Sequence, residues 1–123
     1  MTAFRLARLV GISLDCPDPQ RLANFYRGLL GGRQLWAKES SVAIEVPGAV
    51  LVAQRVDGYV RPVWPGTAIV HLDLTADDLG VTEEQAVALG ATLPEQPDPR
   101  WRVLLDPAGH PFCLTPFTPD SVD

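Results

Sequence analysis

Apolar and polar residues alternate over positions 9–15, "LVGISLD", the period-two pattern of a half-buried strand. The period then changes. Leu22, Phe25, Tyr26 and Leu29 recur at helical spacing and predict one apolar face. Asp18 can cap that helix and Pro19 open it, where a missing N–H costs nothing. Gly31 and Gly32 supply the left-handed exit. Strands are expected at 34–38, 42–46 and 50–56, the last two joined through Pro47 and Gly48. The same order returns downstream. Positions 69–75 read as a strand, and a helix follows, starting at Thr82 on the capping-box spacing of "TEEQ" or a turn earlier around Asp78. It stops at Gly90. Thr92, 100–105 and 112–116 complete three strands, the final hairpin turning through "DPAGHP".

Laid over each other, the two halves match. "GISLDCPDPQRLANFYRGLLGG" from Gly11 resembles "HLDLTADDLGVTEEQAVALGA" from His71; Gly11 and His71 are 60 residues apart, Gly31 and Gly90 59, Gly48 and Gly109 61. A near-constant offset means a duplicated unit. One domain is therefore expected over 1–123, with a βαβββ unit at about 6–56, a linker at 57–66, a second βαβββ unit at about 67–117 and a tail at 118–123.

Composition narrows the function classes. The 123 residues are 46% hydrophobic, with no apolar run near the roughly 20 residues that span a bilayer. "MTAFRLARLV" lacks the long apolar segment of an export signal, so a cytoplasmic location is expected and no membrane partner. A net charge of −5 without a basic cluster removes the footprint that nucleic acid needs. Cys16 and Cys113 lie far apart with no CxxC spacing and read as reduced thiols.

Two tandem βαβββ units, with "FYRGLLGG" closing the first helix, "GAT" after the second and "DPAGHPFCL" in the last hairpin, resemble the vicinal oxygen chelate superfamily. That group includes glyoxalase I, extradiol dioxygenases and bleomycin-resistance proteins. The resemblance covers roughly residues 6 to 117 and is closest in kind to the small glyoxalase-like bacterial members. It implies an α+β fold in which each unit curls into half of a barrel. It also implies metal ligands on the first and last strand of each unit, facing inward. The matching positions are Gly11 and His71 on the first strands, and Val52 and Cys113 on the last, with Gln54 the next residue on the face of Val52. Gly11 and Val52 cannot bind metal, which leaves His71 and Cys113, with Gln54 a weak third. The expectation is no resident metal, since a catalytic zinc keeps three protein ligands and an amide is a poor donor to it. A divalent metal at His71, Gln54 and Cys113 is the alternative.

Alternation places the other candidates. Asp73 and Thr75 share the face of His71, as Ser13 and Asp15 share that of Gly11, while Leu72 and Leu74 turn to the helices. A lone strand histidine is most often a hydrogen-bonded structural residue. The resemblance shifts His71 toward the pocket lining, where it would contact a ligand or serve as a base. Asp73 could tune it, or bond backbone or arginine instead. Cys113 in "FCL" also fits a small buried apolar side chain. Trp64 in the linker and Trp101 beside Arg100 and Arg102 would suit a planar or acidic small molecule, or merely cover a barrel edge.

The resulting expectation is a small-molecule binder whose half-barrel pocket is lined by His71, Asp73, Gln54, Trp64, Trp101 and Cys113, without the usual metal site. The competing reading is a metal-dependent glyoxalase-type lyase or isomerase, or a dioxygenase. A homodimer is expected because an open half-barrel exposes apolar sheet edge, with Leu6, Val10 and Leu35 as covering residues.

Overall fold

Period-two alternation puts Leu14 and Cys16 beneath the first sheet and leaves Ser13 and Asp15 on its open side. In the computed structural model, which describes residues 6–66, 70–95 and 102–116, this strand is β1 (Ile12–Cys16). Helix α1 (Pro19–Leu30) follows, then β2 (Arg33–Ala37), β3 (Ser41–Val46) and β4 (Ala49–Arg55). The second repeat holds β5 (Leu72–Thr75), α2 (Leu79–Leu89), β6 (Arg102–Leu105) and β7 (Pro111–Thr115). The first sheet runs β1-β4-β3-β2 and the second β5-β7-β6. In each, the first strand of the repeat lies parallel to the last, and the other pairings are antiparallel. This is the α+β arrangement of two tandem repeats. Among the described residues no helix is long and apolar enough to cross a membrane.

The caps explain the helix bounds. The Asp18 side chain accepts from Arg21 N at 3.2 Å with Pro19 in the first turn, and Gly31 leaves the helix at φ 76°. In α2 the cap is Asp78, whose side chain accepts from Val81 N at 3.0 Å, so the helix starts at Leu79 and the Thr82 capping box does not form. Asp78 wins because it sits one turn ahead and satisfies the orphan N–H groups first.

Strand ends also move. Leu9 and Val10 lie outside β1 and are exposed, and His71 stands just ahead of β5 rather than within it. Thr92 forms only an isolated bridge to Leu105, so among the described residues the second sheet has three strands where four are expected. Pro94, two residues on, has no N–H to continue a ladder. Gln34 and Trp36 flank a register shift in β2, an edge strand exposed along its whole length.

The helices cover one face of the sheets. Leu22, Phe25 and Tyr26 of α1 are buried against Ile44, Leu51 and Ala53 of the first sheet, and Leu104, Phe112 and Leu114 of the second complete the core. Phe112 crosses between the repeats, its ring 5.8 Å from Phe25 and 6.2 Å from Tyr26. Each such side chain contributes about 1.5–3 kcal/mol by leaving water. The opposite sheet faces, with Ser13, Asp15, Asp73 and Thr75, remain open to solvent.

Candidate functional site

Parallel pairing builds the site. In the second sheet Asp73 lies opposite Cys113, and in the first Ser13 lies opposite Val52, so the first and last strands of the two repeats pair in the same way. His71, two residues before Asp73, therefore comes to the same open face. Its Nδ1 is 3.4 Å from Asp73 Oδ1 and 3.9 Å from Cys113 Sγ. The three donor atoms all lie within 4.8 Å of one another. His71 and Asp73 keep much of their side chains in water, 45% and 66% exposed, while Cys113 is half-buried. Burial pushes the Cys113 thiol up, and the charge and hydrogen bond of Asp73 push it further. The group is thus reachable by a solute and backed by packed sheet, since Leu72 and Leu74 on the reverse face join the core.

The first repeat offers nothing equivalent. Gly11 has no donor, and a Cβ there would meet the Val50 carbonyl oxygen at 3.3 Å, so the backbone of β4 crowds the position. Val52 is apolar. Gln54 spends its amide on the carbonyls of Ser40 and Arg55, at 3.1 and 3.4 Å, and so ties together the end of its own sheet. The four-residue metal set implied by the family pattern is therefore not assembled, because two of its positions carry no ligand atom. Trp64 lies half-buried in the linker turn at 64–66, and among the described residues no hydrogen bond or ring contact links it to His71. Trp101 falls outside the described residues. A cleft of about 450 Å³ opens beside Gly11, between Val10, Val46 and Val50, and His71, Asp73, Gln54 and Cys113 are not among its lining residues.

Sequence reasoning missed a second polar group, at the last hairpin. Asp106 is fully buried and accepts from Tyr26 OH at 2.6 Å, from Ala108 N at 2.9 Å and from His110 N at 3.0 Å. Burial pushes its carboxyl up, while these bonds and the nearby His110 pull it down less strongly. His110 Nε2 donates to the Asp15 carbonyl at 2.6 Å, and Tyr59 OH donates to the Ala108 carbonyl at 2.7 Å. These contacts clamp the two repeats and the linker together. The acid of "DPAGHP" has the sequence context of a turn residue, and its role as a carboxylate in a packed interface is not visible in local pattern. Cys16 is buried, its thiol 3.5 Å from the Gln54 carbonyl and pushed up to about 11, chiefly by burial and then by Asp18. Both cysteines are free.

Comparison with known proteins bears on the fold and the family. A glyoxalase-like domain family model matches residues 11–115. Among solved structures, a glyoxalase/bleomycin resistance protein/dioxygenase family enzyme from Burkholderia phytofirmans PsJN has a TM-score of 0.70 at 18% identity, covering 88% of this chain and 97% of that one. The fosfomycin resistance protein FosX from Mesorhizobium loti has a TM-score of 0.69 at 14% identity, covering 94% and 96%. A glyoxalase-related enzyme from Fulvimarina pelagi has a TM-score of 0.63 at 22% identity, covering 95% and 96%. No protein of curated function matches the chain in sequence. At these identities the solved structures show the shared fold alone, and the matched domain, which takes in both repeats and the His71 face, shows that this chain belongs to the glyoxalase-like family.

Proposed function

We propose that the chain is a cytoplasmic small-molecule-binding protein that works without the four-ligand metal site of its superfamily. The observation that carries this reading is the convergence of His71, Asp73 and Cys113 on a solvent-open sheet face whose reverse side is core. A few convergent polar groups on a rigid, partly apolar wall are what a specific ligand site requires. The imidazole would accept or donate to a polar group of the ligand, or take a proton from it. Trp64, Trp101 and Gln54 would border the bound molecule. A homodimer would cover the exposed apolar residues at the sheet margins, Leu6, Val10 and Leu35.

The convergence also favours a second reading, a metal-assisted lyase, isomerase or dioxygenase. One solved relative, the Listeria monocytogenes fosfomycin resistance protein, was determined with Mn(II) and a dihydroxypropylphosphonic acid. Native mass spectrometry on freshly purified protein, with thermal shifts against fosfomycin and a panel of planar aromatic acids, tests the binding reading. A co-purifying small molecule, or a shift that His71→Ala abolishes, is the expected result. A bare-chain mass with no shift from any probe would sink it.

A further inference from the structure

His71, Asp73 and Cys113 admit two chemical interpretations, which their geometry separates. A cysteine, a histidine and an acid in contact suggest a nucleophile, its base and the group that orients the base. In such a relay the thiol meets one ring nitrogen and the acid the other. Here both neighbours address the same atom: Cys113 Sγ and Asp73 Oδ1 lie 3.9 and 3.4 Å from His71 Nδ1. The acid cannot orient a base from the nitrogen that the thiol must also use.

Three donor atoms gathered around one point suit a shared cation instead. The geometry points to a three-ligand site for a borderline divalent cation such as zinc, built from His71 Nδ1, Asp73 Oδ1 and Cys113 Sγ, all supplied by the second repeat.

The dimensions fit. Tetrahedral zinc with bonds of about 2.3 Å to sulfur and about 2.0 Å to nitrogen or oxygen places sulfur about 3.5 Å from either of the others, and nitrogen and oxygen about 3.3 Å apart. The observed 3.9 and 3.4 Å exceed these by a few tenths of an ångström at most, and the sulfur and the carboxylate oxygen, which lie within 4.8 Å of each other, must draw together further, a movement open to side chains as exposed as His71 and Asp73. Imidazole, thiolate and carboxylate together select zinc or iron over magnesium or calcium. Three protein ligands leave one position open toward solvent, the pattern of a reactive rather than a structural site. On binding, Cys113 releases its thiol proton to solvent and His71 keeps its proton on Nε2.

This set differs from the family pattern in both source and composition. The first repeat contributes no ligand, since Gly11 and Val52 have no donor, and Asp73, two residues beyond the histidine, supplies the acid. It is reachable because the parallel β5–β7 register sets Asp73 directly opposite Cys113.

The inference concerns the same sheet face as the ligand reading, but its test uses metal alone, so either can fail without the other. Cobalt(II) titration of metal-free full-length chain should show one ion per chain with a sulfur-to-cobalt charge-transfer band, and zinc should displace it. Cys113→Ser should abolish the band. His71→Ala and Asp73→Asn should each weaken binding by at least the roughly 10- to 100-fold that loss of an outer-sphere partner costs. Asp15→Asn, at the open face of the first repeat, should leave binding unchanged, and circular dichroism of each variant reports folding separately. Sub-stoichiometric binding, a band that survives Cys113→Ser, or equal loss in Asp15→Asn would overturn the proposal.

Discussion

Tyr26 on α1 donates a 2.6 Å hydrogen bond to Asp106 in the last hairpin, joining the two repeats through residues 80 apart in sequence. The carboxylate is fully buried, and its other partners are the backbone N–H groups of Ala108 and His110. A buried acceptor left without its donor costs about 1–3 kcal/mol. Tyr26→Phe should therefore destabilise by that amount in chemical unfolding. Asp106→Ala, which orphans two N–H groups and a hydroxyl at once, should cost more. A Tyr26→Phe variant as stable as the parent would show that the pair does not hold the repeats together.

The same carboxyl predicts a pH dependence. Burial raises it above the ordinary value of 3.8, so the folded chain holds a proton that the unfolded chain has already released. Below 3.8 both states are protonated and this contribution to stability is fully present; it is lost as pH rises from 3.8 through the raised folded value. Asp106→Asn can keep all three contacts, with Tyr26 turning from donor to acceptor. The difference in unfolding free energy between parent and Asp106→Asn should therefore move in favour of the variant across that window and stay level above it. A difference that is flat with pH would contradict the assignment.

His71→Ala should leave stability within about 1 kcal/mol, the usual range for a change outside the core. Its side chain is 45% exposed and its neighbours are themselves at the surface. A loss of several kcal/mol in thermal unfolding would make His71 a packing residue and remove it from any site.

Thiol labelling separates the two cysteines. Cys16 is fully buried with its thiol pushed up to about 11, whereas Cys113 opens on the site face. Iodoacetamide on native protein at mildly alkaline pH should modify Cys113 first, with Cys16 reacting only on unfolding. Equal rates would mean that the sheet opens freely.

Gly31 and Gly32 are adjacent and both have positive φ, 76° and 115°, yet they should not tolerate change equally. A Cβ on Gly31 meets nothing within 4 Å; on Gly32 it would stand 2.0 Å from the Glu45 carbonyl oxygen. Gly32→Ala should therefore cost well over the roughly 1 kcal/mol scale of an ordinary glycine replacement, and more than Gly31→Ala, as read by thermal unfolding.

Much of this protein was legible in its sequence because the determining forces are local. Period-two runs and a helical stripe ending in glycines gave the kind and order of the elements apart from the strand at Thr92, and Asp18 with Pro19 fixed where α1 begins. The near-constant offset between "GISLD" and "HLDLT" exposed the duplication, since a repeat needs only the chain compared with itself. Alternation alone placed His71 and Asp73 on one open face. Tertiary structure decided what depends on register and on distant partners. Counting family positions in the sequence left His71 and Cys113 as two ligands with Gln54 a weak third, but the parallel pairing of β5 with β7 set Asp73 beside them, while Gln54 turned to carbonyls of its own sheet. Asp106 read as a turn residue because nothing near it in sequence announces Tyr26. Its burial follows from two helices and two sheets closing over one core, and only that closure brings residues from opposite halves of the chain within hydrogen-bond distance.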